Sequence, residues 1–138
     1  MARLLGELLA LKRGPAASGS RQIVIPVPLH RQRLAERGYN QSLEIIRPLG
    51  RLGYRIETGI CERVVPTRAQ TDLSARARKD NVRFAFSIRK RLDDQEIILV
   101  DDVMTTGATL NELASILKHA GARRVDAHVL ARTMPQRS

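Results

Sequence analysis

Hydrophobic and polar positions follow two different periods along this chain, and the switches between them mark its elements. Ile23, Val24, Ile25 and Val27 form an apolar run punctuated by Pro26 and Pro28, which predicts a short buried strand over 23–28. A helical stretch over 31–52 comes next. It is broken at Gly38, with Asn40 as N-cap of the longer piece 41–52 and Pro48 inside it. Residues 54–65 hold one or two short strands. The polar, Arg-rich run 66–80 has no sustained strand pattern and reads as a loop with one helical turn. Over 81–89, Val82, Phe84, Phe86 and Ile88 alternate with Arg83, Ala85, Ser87 and Arg89, the period of a strand.

Ile97, Ile98, Leu99 and Val100 are the clearest buried strand of the sequence. Leu110, Leu113, Ala114 and Leu117 recur at helical spacing, predicting a helix over 106–120 that stops at Gly121. A last strand covers 125–131, and 134–138 form a frayed tail. Strand, helix and strand in that order make a βαβ unit, hence parallel strands joined by a right-handed crossover. The expected fold class is α/β, a three-layer arrangement with a mostly parallel central sheet flanked by helices. It forms a single domain over 1–138 with its core at 22–132.

Near the start, Leu4, Leu5, Leu8, Leu9 and Leu11 are interrupted by Glu7, so an amphipathic helix is expected rather than a signal peptide. A Gly/Ser-rich loop completes that N-terminal region, 1–21. Aromatic residues make up only 3% of the chain, so the core must be aliphatic. Cys61 is the single cysteine, which excludes an intramolecular disulfide and a Cys-based zinc site. No apolar run reaches membrane-spanning length, and the cytoplasm is the expected compartment.

The formal net charge is +10. Only Lys12, Lys79, Lys90 and Lys118 among the 24 basic residues are lysines; the rest are arginines. Arginine holds phosphate by paired hydrogen bonds, so this excess suits phosphorylated ligands, while Arg-favouring codon usage accounts for it equally well. A basic surface also permits nucleic-acid contact. Two Tyr and two Phe make no stacking stripe for single strands.

The chemistry concentrates in Val100-Asp101-Asp102-Val103-Met104-Thr105-Thr106-Gly107-Ala108-Thr109. In open parallel sheets ligands bind beyond the carboxyl ends of strands, where Asp101 and Asp102 are expected. Each carboxylate can accept from a pair of ribose hydroxyls. The turn Thr105, Thr106, Gly107, Ala108 and Thr109 then opens a helix, whose amide groups and dipole make an anion site. Gly107 allows close backbone approach, and the threonines add hydroxyl donors. A diol-binding acid pair beside a phosphate cup describes a ribose 5-phosphate site. The plain alternative is a strand end with a capping Asp or Thr and no ligand.

This run resembles the 5-phosphoribosyl-1-pyrophosphate (PRPP) motif of type I phosphoribosyltransferases: four apolar residues, two acids, two apolar residues and a Thr/Ser-Gly cup. The resemblance assigns Asp101 and Asp102 to the ribose and Thr105–Thr109 to the 5-phosphate. Members acting on 6-oxopurines typically carry Asp where Thr105 stands, so hypoxanthine and guanine are not expected as substrates.

Two further blocks resemble the ComF/GntX (competence protein F) family of that superfamily. They are Val27-Pro28-Leu29-His30 with Arg33 and Arg37-Gly38-Tyr39-Asn40-Gln41, and Thr67, Gln70, Leu73-Ser74, Arg78, Asn81-Val82 and Ala85-Phe86. The likeness covers 23 to about 132. The family's cysteine-rich zinc-binding segment is not found, Ala77 replaces a common acid, and Arg68-Ala69 replace common prolines.

By the same resemblance, the loop after the first core strand binds pyrophosphate. Here that is Leu29, His30 and Arg31, with an unusual peptide geometry envisaged; the plain reading of His30 is a surface turn. The segment 66–80 falls at the mobile catalytic lid, where Arg76, Arg78, Lys79 and Gln70 are the candidate catalytic residues, with Asn81 beside them. An ordinary solvated basic loop is the alternative. His119 and His128 are expected to be structural or on the surface. Mg²⁺ is the expected cofactor, carried by PRPP near Asp101 and Asp102 without direct protein ligands. The implied activity is transfer of a 5-phosphoribosyl group to a nitrogen acceptor with release of pyrophosphate. The rival reading is a non-catalytic PRPP sensor or DNA-uptake accessory that contacts single-stranded DNA or competence machinery; a homodimer is compatible with either.

Overall fold

The computed structural model describes residues 21–65, 85–104 and 107–132. Its elements run β1 (Gln22–Pro26), α1 (Arg31–Arg37), α2 (Gln41–Arg51), β2 (Cys61–Arg63), β3 (Phe86–Ile88), β4 (Glu96–Met104), α3 (Ala108–His119) and β5 (Arg124–Arg132). β1, β4 and β5 form a parallel sheet with β4 in the middle, and β2 pairs antiparallel with β3. The predicted α/β class and parallel central sheet are therefore present, and β4–α3–β5 is the expected βαβ unit.

Side-chain alternation in β1 and β4 divides the core in two. Ile23, Ile25, Ile97 and Leu99 face α3 and the β2–β3 pair, meeting Leu110, Leu113, Leu117, Cys61 and Phe86. Val24, Ile98 and Val100 face the other way, against Ile46, Leu49 and Tyr54 from α2 and the turn after it. A strand buried on both faces reads as a continuous apolar run, which is why the period of two is hidden in 97–100.

Turns and caps account for the boundaries. Asn40 caps α2 as expected: its Oδ1 accepts from the amides of Ser42 (2.9 Å) and Leu43 (3.4 Å). Its Nδ2 donates to the Val27 carbonyl (3.0 Å) and so ties the helix start to the end of β1. Gly38 closes α1, and Pro48 is accommodated inside α2. After α3, Gly121 sits at φ +108, and an added Cβ would stand 2.1 Å from the Leu92 carbonyl oxygen. Leu92 packs there because its amide donates to the Ala120 carbonyl (2.8 Å).

Two boundaries differ from expectation. β1 ends at Pro26 rather than at 28, although the Val27 amide still donates to the Val100 carbonyl (2.9 Å). The one or two short strands expected in 54–65 are present as β2, with a single bridge from Ile56 to Val24 beside it. β4 runs on to Met104, because its ladder with β5 continues through Asp101, Val103 and Met104 after its last pair with β1, Val100 opposite Pro26. Of the strand expected over 81–89, Phe86–Ile88 is seen, and 81–84 lie outside the described residues. The expected N-terminal helix and the tail also lie outside them. Among the described residues no helix is long and apolar enough to cross a membrane.

Candidate functional site

The extension of β4 moves the acid pair from beyond the strand into its C-terminal half. Asp101 Oδ1 accepts from Ser42 Oγ (3.2 Å) and from the Asp102 amide (2.9 Å), and Asp102 Oδ1 accepts from the Val103 amide (2.9 Å). Ser42 is the one fully buried polar residue among the described residues, 3% exposed, placed there by the Asn40 cap in the first turn of α2. Burial pushes the Asp101 carboxyl up to about 6. The hydrogen bond to the Asp102 carboxyl and the charge of Asp102 act in the same direction, against the Asp102 amide and the Ser42 hydroxyl. Two adjacent carboxylates thus stand in the C-terminal half of the central strand.

Gly107 precedes α3 at φ +77 and serves as its N-cap. A Cβ there would make only ordinary contact, 3.5 Å from Met104 Sδ. The backbone conformation, rather than lack of space, is what favours glycine at this position. Ala108 and Thr109 form the first turn of α3, at the positive end of its dipole. Thr105 and Thr106 lie outside the described residues, as do Gln70, Arg76, Arg78, Lys79 and Asn81.

The predicted pyrophosphate loop lies between β1 and α1. His30 is the N-cap of α1, at φ −62 and ψ 145, with Nδ1 accepting from the Gln32 amide (3.2 Å). This places the proton of the neutral ring on Nε2. No cis peptide bond occurs among the described residues, so the unusual geometry envisaged for 28–31 is not found there. Arg31 Nε pairs with Glu62 Oε1 (3.3 Å), and Arg89 holds the other oxygen of the same carboxylate through Nε (3.0 Å) and its second guanidinium nitrogen. The Arg89 hydrogen bond is the main reason the Glu62 carboxyl lies below its ordinary range, followed among the charges by Arg89 and Arg31.

Sequence reasoning missed Ser42, Glu62, Arg63 and Arg89. The Arg63 guanidinium lies 5.4 Å from the Phe86 ring centroid, the residue opposite it in the β2–β3 ladder. Burial and the charge of Arg33 lower its proton affinity, while the charge of Asp101 raises it. Arg63 is thereby within electrostatic reach of the acid pair. The alternation of Glu62 and Arg63 in a short strand was the signal available, and it is too brief to assign a face.

A family model described as phosphoribosyl transferase domain matches residues 60–138. The chain belongs to the phosphoribosyl transferase domain family. A curated relative, DNA utilization protein YhgH of Salmonella typhi, is 36% identical over 97% of this chain and 60% of its own length. Competence protein F of Haemophilus influenzae is 38% identical over 80% of this chain and 50% of its own length. The chain thus spans 60% or less of these two relatives, and they agree with the competence protein F resemblance of the sequence blocks. Among solved structures, a hypoxanthine phosphoribosyltransferase from Trypanosoma cruzi superimposes with TM-score 0.53 at 14% identity, covering 98% of this chain and 73% of its own. The allosteric regulatory enzyme of purine biosynthesis gives TM-score 0.52 at 25% identity over 93% of this chain and 25% of its own. In this phosphoribosyl transferase domain, the acid pair and the glycine that opens α3 lie on one continuous stretch at the end of the central strand.

Proposed function

We propose that the chain binds PRPP with Mg²⁺ and transfers its 5-phosphoribosyl group to a nitrogen nucleophile. The observation that carries this reading is the Asp101–Asp102 pair in the C-terminal half of β4, with Asp101 held by Ser42, and the glycine-capped start of α3 five residues after Asp102 in sequence. Acceptors for two sugar hydroxyls and the positive end of a helix dipole then stand in tandem, as a ribose 5-phosphate requires.

In the reaction, the bond from C1 of the ribose to the diphosphate oxygen breaks, and a bond from C1 to the acceptor nitrogen forms. The diphosphate leaves with the electron pair, and the acceptor nitrogen loses its proton to solvent. Asp101 and Asp102 hold the sugar, and Thr105, Thr106, Gly107, Ala108 and Thr109 hold its 5-phosphate. Leu29, His30 and Arg31 receive the diphosphate, His30 through its Nε2 proton. Arg76, Arg78 and Lys79, with Gln70, close over it and exclude water.

The donor set fits Mg²⁺. Two adjacent carboxylates supply hard oxygen beside an ion held chiefly through phosphate oxygens and water. When bound, Mg²⁺ neutralises charge on the leaving diphosphate.

The test is calorimetric titration of PRPP with Mg²⁺ into the wild-type chain and Asp101→Asn/Asp102→Asn. Saturable binding lost in the double variant is expected; equal affinity in both would remove the site. Pyrophosphate release with a panel of bases and amines then identifies the acceptor.

A second reading, an accessory role in DNA uptake, is favoured by the net charge of +10 and by the printed names of the relatives. Its signature is single-stranded DNA binding that weakens steeply with salt.

A further inference from the structure

The two edges of the parallel sheet are finished differently. Along β1, the Val24 amide donates to the Arg55 carbonyl (2.8 Å) and the Glu57 amide donates to the Val24 carbonyl (3.0 Å), so the segment after α2 closes that side. β5 is the other edge, and among the described residues it pairs with β4 alone. It is nine residues long, keeps one register with β4 from Arg124 to Arg132, and contains no proline, glycine or lysine. Edge strands are ordinarily protected by being short, or by proline, lysine or a bulge. Val125 and Val129 pack toward the core on the α3 side. By alternation, Asp126, His128, Leu130 and Arg132 share the opposite face. Among the described residues, the cluster against α2 draws on β1 and β4 but not on β5, and Leu130 is 42% exposed.

We infer that β5 pairs antiparallel with β5 of a second copy of this chain, about a twofold axis at Val129. Charge selects both the partner and the register. Only two centres set Asp126 opposite an arginine of the same strand. An axis at Val125 opposes it to the partner's Arg124, but the strands then overlap only over 124–126. An axis at Val129 opposes it to the partner's Arg132, overlaps residues 126–132, and repeats the contact by symmetry. An axis at His128 sets Arg124 against the partner's Arg132 twice, and like charges directly opposite are destabilising. Charges placed merely to guard an edge would carry one sign, and these do not. Asp126 also pairs with Arg124 of its own strand (2.8 Å), so in the dimer it lies between two arginines. Leu130 faces the partner's His128, and Ala127 faces the partner's Ala131, which continues the apolar row on the α3 side into the second copy. Val129 lies opposite Asp101 of β4, so the two acid pairs stand three strand spacings apart, about 14 Å. The inference goes beyond PRPP binding and does not depend on it.

The experiment is sedimentation velocity on the full chain over a range of concentrations, beside Arg132→Asp and Asp126→Arg, both on exposed side chains. The wild-type chain is expected to form a dimer as concentration rises. Each variant sets like charges opposite each other twice and raises the dimer dissociation constant by about tenfold or more. Mixed in equal amounts, the two variants regain both opposite-charge contacts and form a heterodimer of near wild-type affinity, a recovery that misfolding cannot imitate. A monomer at every concentration, a dimer that Arg132→Asp leaves unchanged or tightens, or no heterodimer on mixing would overturn the inference. Tightening is the outcome expected for an axis at His128, and a constant monomer is that of an edge closed by other residues of the chain.

Discussion

Ser42 Oγ donates to Asp101 Oδ1 at 3.2 Å, linking the first turn of α2 to the end of β4 across 59 positions of sequence. The hydroxyl is buried and helps to settle one oxygen of a carboxylate that burial already disfavours as an anion. Ser42→Ala should therefore weaken PRPP binding several-fold and cost about 1 kcal/mol of stability, the worth of one buried hydrogen bond. Ser42→Thr keeps the hydroxyl and should recover most of the affinity. Calorimetry on both variants checks this, and equal affinity for Ala and wild type would count against it.

Asp101 also makes stability depend on pH. Its carboxyl titrates at about 6 in the folded chain, above the ordinary carboxylate range. The native state therefore holds a proton that the unfolded chain has already lost. Stability falls as pH rises through this window, and the penalty is complete above about 6. Asp101→Asn has no such penalty. Its melting temperature relative to wild type should rise between acid and neutral pH, as thermal unfolding at several pH values would reveal. A constant difference would contradict the assignment.

Asn40 has two duties, and substitutions separate them. Asn40→Ala loses the cap and the bond to the Val27 carbonyl, at about 1–2 kcal/mol for the cap alone. Asn40→Asp keeps the capping oxygen but cannot donate to Val27. Denaturant midpoints should rank wild type above Asp above Ala. An Asp variant as stable as wild type would show that the Val27 bond contributes nothing.

Gly121→Ala sets a Cβ against the Leu92 carbonyl at a left-handed backbone position. The strain of that conformation is of order 1–3 kcal/mol, and the clash adds to it. The thermal transition should drop by several degrees while PRPP affinity per folded molecule is unchanged, since the position is remote from the acid pair.

Cys61 is buried, and burial pushes its thiol up to about 12. At neutral pH the thiolate is scarce, so a maleimide should label the native chain slowly and the urea-unfolded chain fast. Rapid native labelling would place Cys61 at the surface.

The residues explain what was legible beforehand. Asn40 and Gly38 announced the start of α2 and the end of α1, because a cap and a stop act within a few positions. Ile97 to Val100 announced the central strand through burial alone. The length of β4 was hidden, since Asp101 and Asp102 read as an ending until the ladder to β5 is seen. Asp101 and Asp102 were found by local spacing, whereas Ser42 reaches Asp101 only through the tertiary fold. Arg63, Glu62 and Arg89 gather because β2 and β3 pair, which no local pattern announces. His30 was read as a ligand or a turn residue, and its capping bond to Gln32 was not foreseen.

The unequal lengths of β1 and β4 have an evolutionary meaning. Proline offers no amide to a neighbouring strand, so Pro26 is a natural terminus for β1, with Pro28 two residues on. Past that terminus β4 has, among the described residues, a strand on one flank only, and the shelf so left is where its carboxylates emerge. Two ring-locked residues more than seventy positions away thus govern how much of that shelf stays open. Drift that let the first strand zip onward would seal it with every acid still in place.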